Sequence, residues 1–170
     1  MIIDDRGNGG GNVSPQIIER LNREPVFINA PRNVTTPVVD PTMVLGPKVL
    51  LIDQYSASDG DLFPYRFRTY KLGKIIGRRS WGGVVGIRGS LPFVDGGFLN
   101  RPEFSRYDLE GKTWPIEGYG VDPDIEIFNN PADEYKGMDK QLDKAIEIIL
   151  EELKNRPELP PPPPYPKKNK

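Results

Sequence analysis

The sequence predicts an α/β fold in which short parallel strands are joined by crossover helices. Two stretches carry that prediction. Near the start, Ile2-Ile3-Asp4 has the look of a short strand, and it runs through a glycine-rich loop into an apolar stripe at helical spacing, Ile17, Ile18 and Leu21. Further on, Lys48-Val49-Leu50-Leu51-Ile52-Asp53 is an apolar run of strand length, followed by a helical segment and a second strand-like run, Lys74-Ile75-Ile76-Gly77. Strand, helix and strand in that order form a β-α-β unit, and two such units argue for a parallel sheet.

Met1 leads directly into Ile2-Ile3-Asp4-Asp5 with no polar lead-in. Domains seldom begin inside their own sheet, so the chain is expected to be a piece of a longer polypeptide. The run Arg6-Gly7-Asn8-Gly9-Gly10-Gly11-Asn12 allows positive φ and close backbone approach. Ser14 is expected to cap the following helix, with Pro15 at its first position. Val26 to Ile28 reads as a short strand, and Asn33 to Thr42 as a proline-rich connection without period.

From Ser58 a helix is expected to run to about Tyr70, with Asp59 and Asp61 in its first turn complementing the helix dipole and Leu72-Gly73 closing it. Pro64 lies early enough to be tolerated or to bend it slightly. Between Trp81 and Ile127 the texture changes to glycine-rich loops and short strands, with a hairpin at Val94-Asp95-Gly96-Gly97-Phe98. Leu142, Ala145, Ile146, Ile149, Leu150 and Leu153 are spaced by three and four, the clearest amphipathic helix in the chain, with the sheet or an absent partner to pack against. Pro157 ends it, and residues 158–170 form an extended proline-rich tail, a solvated spacer or, less simply, a ligand for an SH3-type domain.

Composition narrows the function. With 23 basic against 24 acidic residues there is no charge excess to favour nucleic acid or an anionic membrane surface. The chain has no cysteine and no histidine, which removes disulfides and the usual soft ligands for zinc or copper. No metal and no cofactor is expected. No apolar run approaches the roughly 20 residues of a membrane span, and no basic-then-apolar leader opens the chain. A cytoplasmic location is expected, with any leader belonging to upstream sequence.

Three places invite chemistry. Ser58 stands where a strand gives way to a helix, with the Asp59 and Gly60 amides beside it, so it reads either as a nucleophile next to oxyanion donors or, more commonly for a Ser-Asp pair, as a plain cap. Gly9-Gly10-Gly11 could place a second donor beside Ser58 if the two turns are neighbours, or could be a simple turn; its spacing fits no phosphate-binding motif. Glu117, on a loop with glycines beyond it, could orient a catalytic partner or be a solvated acid. Asp122 and Asp124, on either side of Pro123, read as turn residues.

Taken in order, Asp5-Arg6-Gly7-Asn8-Gly9-Gly10-Gly11, Ser56-Ala57-Ser58-Asp59-Gly60-Asp61, Gly77-Arg78-Arg79-Ser80-Trp81-Gly82-Gly83 and Glu117-Gly118-Tyr119-Gly120-Val121-Asp122-Pro123-Asp124 resemble the tricorn protease family. The four motifs cover roughly Met1 to Ile127, and the last helix and tail are similar to the family's carboxy-terminal end. The resemblance implies a serine peptidase related to the carboxy-terminal processing proteases, with a ClpP/crotonase-like core of which residues 1–157 would be the carboxy-terminal catalytic subdomain. It implies that Ser58 is the nucleophile, that the Asp59 amide and either Gly10 or Gly11 form the oxyanion hole, and that Glu117 belongs to a charge-relay tetrad.

In the processing-protease branch the base is a lysine in the strand after the nucleophile helix. Here Ser80-Trp81-Gly82-Gly83 places glycine there, and Lys74 comes too early. In the tricorn branch the base is a histidine preceded by a serine, in a subdomain that comes earlier in the chain. The resemblance therefore implies half a site: a peptide-cleaving parent, an upstream Ser-His subdomain as partner, a homo-oligomer, and an isolated chain that is essentially inactive. The competing expectation, supported by the absent histidine, is a catalytically inactive crotonase-like scaffold for peptide binding or assembly. For substrate preference, only Asp95, Arg106 and Asp108 present themselves, as polar residues in variable loops.

Overall fold

The structure, a computed structural model, describes residues 1–32, 38–40, 42–88 and 92–167. Four strands, β1 (Ile2–Asp4), β2 (Val49–Ile52), β3 (Lys74–Gly77) and β6 (Ile125–Glu126), form one parallel sheet in the order β1-β2-β3-β6. The register pairs Ile3 with Leu50, Leu50 with Ile75, and Ile76 with Ile125. Helices α1 (Ser14–Leu21) and α2 (Asp59–Thr69) are the first two crossovers. A separate antiparallel pair, β4 (Gly86–Arg88) and β5 (Arg101–Phe104), follows β3, and the short α3 (Pro131–Glu134) and long α4 (Lys140–Lys154) close the chain. The α/β expectation, with β-α-β units, is met.

β2 has no polar position because both of its faces are covered. Successive side chains of a strand point to opposite faces. Leu50, Ile52 and Ile75 therefore pack with Ile18, Leu21, Phe63 and Phe67 of α1 and α2. Val49, Leu51 and Ile76 pack on the other face with Ala145, and Ile148 and Ile149 join them. So α4 does lie on the sheet, while Leu142, Ile146, Leu150 and Leu153 stay exposed.

Details differ from the sequence reading. Val13, not Ser14, stands at the N-cap of α1, and Ser14 is buried inside the first turn because its hydroxyl bonds Asp59. Val26 to Ile28 are exposed and form no strand; among the described residues the adjoining segment makes an isolated bridge between Asn29 and Val38. Of the proline-rich connection, residues 33–37 and 41 lie outside the described residues, as do 168–170 of the tail. The expected hairpin turn is present as a tight loop in which Phe93 N–H donates to Gly97 O at 2.8 Å, though its strands lie further out, at β4 and β5.

Helix α2 runs from the Ser58 N-cap to Tyr70 with Pro64 inside it, fully buried. It ends one step earlier than Leu72-Gly73 would suggest. Lys71 takes the left-handed conformation (φ 54°), and Leu72 N–H reaches back to Phe67 O at 3.1 Å, the six-to-one bond of a Schellman ending. Gly73 serves instead where the chain entering β3 passes close to the residue before β2, since a Cβ there would run into the Lys48 carbonyl.

Residues 155–167 have neither helix nor strand, and from Asn155 onward they are exposed. Removing residues 158–170 is expected to leave the thermal midpoint, followed by circular dichroism, unchanged. A fall of more than about 3 °C, roughly 1 kcal/mol for a domain of this size, would mean that the tail is docked.

Candidate active site

In a parallel sheet the loops that follow the strands gather at one end, which is where ligands of such folds bind. Here the β1–α1 and β2–α2 turns are stapled together at that end. Ala57 N–H donates to Asn8 O at 2.8 Å, the Ser56 hydroxyl to Asp5 O at 2.9 Å, and Gly7 N–H to Asp53 Oδ1 at 2.9 Å. Gly60 allows the approach, because a Cβ there would overlap the Asn8 carbonyl.

Ser58 follows with φ 56° and ψ −109°, one of only two non-glycine positive-φ residues among those described. Its N–H donates to Asp61 Oδ2 at 2.8 Å. The fully buried Asp61 carboxylate also accepts Gly82 N–H at 2.7 Å and Gly83 N–H at 3.1 Å. One acid thus ties the start of α2 to the loop after β3. Sequence reasoning gave Asp61 only a dipole role, because nothing local shows that a loop 21 residues away will supply two of its donors.

The Asp59 carboxylate, also buried, works in the opposite direction. Its Oδ2 accepts Val13 N–H at 3.0 Å and Ser14 N–H at 2.9 Å, its Oδ1 accepts the Ser14 hydroxyl at 2.5 Å, and Arg66 stands 3.5 Å away. It caps α1 from outside and so pins the far end of the glycine run. Gly10 (φ 131°) consequently lies against the serine: a Cβ on Gly10 would sit 3.0 Å from Ser58 Cβ and 3.3 Å from its Oγ. On Gly11 (φ 149°) it would sit 4.0 Å from Asp59 Oδ2. Gly10 N–H donates to Asn8 Oδ1 at 3.1 Å. Among the described residues, the amides of Gly11 and Asp59 donate no hydrogen bond.

Glu117 is exposed, yet its Oε2 accepts Val84 N–H at 2.7 Å, and Gly118 N–H donates to Gly82 O at 2.8 Å. Asp61 and Glu117 therefore hold the two ends of the Gly82–Val84 segment. Lys74 lies at the opposite end of the sheet, paired with Val49 at the beginning of β2, whereas Ser58 follows the end of that strand. It is no base for Ser58.

Of the polar loop residues, Asp95 accepts Gly97 N–H within its own turn, and Asp108 gathers the amides of Glu110, Lys112 and Thr113. Arg106 instead donates to Val84 O at 2.7 Å, next to the segment that Glu117 holds. Asp124 does more than turn the chain: it accepts Ile75 N–H at 2.8 Å and faces Arg68 at 3.3 Å, fastening β6 to α2. Asp5, which sequence reasoning passed over, is 5% exposed, and burial pushes its carboxyl up to about 7, with the charges of Asp59, Asp4 and Asp53 adding to the rise and the Asn8 hydrogen bond opposing it.

Residues 1–127, the span that holds all of these groups, match the model of peptidase family S41. The chain belongs to that family. It is 42% identical over 155 residues to the tricorn protease of Thermoplasma acidophilum, which covers 91% of this chain and 14% of the relative. It is 43% identical over 155 residues to a tricorn protease homolog of Saccharolobus solfataricus, 90% of this chain and 14% of that protein. The solved tricorn protease superposes with a TM-score of 0.82 at 42% identity, over 91% of this chain and 15% of the other. The resemblance drawn from the four motifs is borne out, and the chain spans about one-seventh of the length of these relatives. Among the described residues no helix is long and apolar enough to cross a membrane.

Two stability measurements probe this S41 site. Asp61→Ala leaves the amides of Ser58, Gly82 and Gly83 without their acceptor and should cost on the order of 3 kcal/mol in urea denaturation; a loss below about 0.5 kcal/mol would show that water replaces the carboxylate. For Asp5, the folded chain keeps its proton up to about pH 7 while the unfolded chain loses it near 3.8. The folded state thus binds more protons in that window, so stability falls as pH rises through it. Asp5→Asn should remove this loss, gaining on the wild type by up to about 4 kcal/mol between pH 4 and 7.5; a pH-independent difference would contradict it.

Proposed function

We propose that this chain carries the nucleophile and oxyanion hole of a tricorn-like serine peptidase, with Ser58 as nucleophile. The observation that carries this reading is the backbone of Ser58. A serine that merely caps a helix sits in the β region. Positive φ on a non-glycine residue costs of order 1–3 kcal/mol and survives where the surroundings enforce it, which favours a functional role beyond the N-cap place that Ser58 holds with Asp61. The unengaged amides of Gly11 and Asp59 beside it suit an oxyanion, and the helix end adds partial positive charge. Because the Gly10 amide is engaged by Asn8, Gly11 is the better candidate for the second donor, with Gly10 shaping the space against Ser58.

Ser58 Oγ attacks the scissile carbonyl carbon while its proton passes to a base. The carbonyl oxygen, now negative, is held by the Asp59 and Gly11 amides. Collapse expels the amine, which takes the proton from the base and leaves an ester on Ser58; water, deprotonated by the same base, then releases the acid product and restores the hydroxyl. No histidine is present and Lys74 is remote, so the base is assigned to a Ser-His subdomain upstream of this chain. Glu117 is assigned to the relay as the group that fixes the adjoining loop and orients its partners. A peptide substrate, a homo-oligomeric parent and a cytoplasmic location complete the reading.

Fluorogenic peptides assayed with this chain, with the whole protein and with the whole protein carrying Ser58→Ala test it. Hydrolysis is expected in the whole protein only, and the chain alone should be slower by about 10⁴-fold or more. A fluorophosphonate should label the whole protein at Ser58 and not the Ser58→Ala variant. A whole protein that neither cleaves nor labels would leave the scaffold reading in its place.

A further inference from the structure

One buried group in this end of the sheet has no part in the chemistry described so far. Asp5, the residue after β1, is almost fully enclosed. Its Oδ1 accepts Asn8 Nδ2–H at 2.8 Å, and its Oδ2 has no hydrogen-bond partner, the one such buried side-chain atom among the described residues. Its backbone is fully used, since the carbonyl takes both the Ser56 hydroxyl and Asn8 N–H. The carboxyl therefore makes a single directed contact, and that contact is with Asn8.

Asn8 is the hinge of the site. Its Oδ1 accepts Gly10 N–H at 3.1 Å, and its carbonyl accepts the amide of Ala57, the residue before Ser58. A carboxamide can point either its oxygen or its nitrogen toward a given neighbour, and only the partners decide which. A carboxyl that accepts at Nδ2 turns Oδ1 toward Gly10. With the Gly10 amide engaged there, the Gly11 amide is left for a ligand.

We propose that Asp5 is a positioning residue for the oxyanion-binding loop, acting through the Asn8 carboxamide on the Gly10 and Gly11 amides. The proposal rests on the reading of Ser58 as the nucleophile.

The charged groups around Asp5 indicate which form does the positioning. Asp4 on its own strand, Asp53 in the turn after β2 and Asp59 in α2 all bear on it with negative charge. The cations at this end are committed elsewhere: Arg6 to Asp4 and to Asp139 at the start of α4, and Arg66 to Asp59 and Ser14. Among the described residues no cation is paired with Asp5. The neutral acid keeps its carbonyl oxygen for Asn8, with no further negative charge near a forming oxyanion. The titration of Asp5 near pH 7 should then be felt by the amides of the loop.

The test has two arms. In the ¹⁵N-labelled chain, the amides of Asn8, Gly10, Gly11 and Ala57 followed from pH 5 to 9 are expected to shift together with a midpoint near 7. The transition should vanish in Asp5→Asn, and in Asn8→Ala it should be lost from Gly10 and Gly11. Glycine amides that stay flat, or that titrate unchanged in Asp5→Asn, would overturn the proposal. In the whole protein, Asp5→Ala is expected to lower kcat by at least about tenfold with KM little changed, and Asp5→Asn to restore most of the loss. Equal losses in both variants, or none in Asp5→Ala, would overturn it. A coupled titration in a protein that cleaves no peptide would uphold the linkage from Asp5 to Gly10 and sink the peptidase reading alone.

Discussion

The arrangement around Ser58 depends on the buried Asp61 carboxylate. A charge taken out of water must have its lone pairs filled, and here three amides do it, from Ser58, Gly82 and Gly83, at the positive end of α2. The bond to Ser58 holds the residue in its unusual backbone conformation. The bonds to Gly82 and Gly83 bring in the loop that Glu117 grips from the other side. Trp81 N–H, which donates to Ser56 O at 2.9 Å, and the packing of Leu62 against Val84 and Ile116 reinforce the same junction between the Ser58 turn and the Glu117 loop.

Asp59 complements it. The two acids, two residues apart at the start of one helix, reach in different directions: Asp61 toward the loop after β3, Asp59 toward the first turn of α1. Their backbone spacing converts one helix start into a clamp on both neighbouring turns. The parallel sheet beneath makes this possible, because β1, β2 and β3 deliver their following loops to the same end in adjacent order. The apolar β2, covered on both faces, keeps that platform dry and rigid.

The site is also unusually acidic, with Asp5, Asp53, Asp59 and Asp61 all at the same end. Three of them are neutralised in the geometric sense by backbone amides and hydroxyls, as Asp53 is by Gly7, Tyr55 and Ser56. Asp5 differs in that its unpartnered oxygen, Oδ2, is buried. Burial, with the charges of Asp59, Asp4 and Asp53 adding to it, raises its carboxyl to about 7.

By itself, the sequence determined the class of fold, the helix that Ser58 opens and the membership of its motifs in a peptidase family. The reasons are local: the all-apolar run Val49 to Ile52 has the length and β-branched content of a strand covered on both sides, and Ser58-Asp59-Gly60-Asp61 has the acids of a helix start after it. It also showed that the chain contains no histidine to serve Ser58. The tertiary structure decided the partners. Val26 to Ile28 had the composition of a strand but found no sheet edge to pair with, and Ser14 lost its capping place because Asp59 supplied a better acceptor from another helix. The separate duties of Gly10 and Gly11, the three hydrogen bonds accepted by Asp61 and the isolation of Asp5 depend on residues 21 to 51 positions apart in the chain meeting at one end of the sheet, and no local pattern records such meetings.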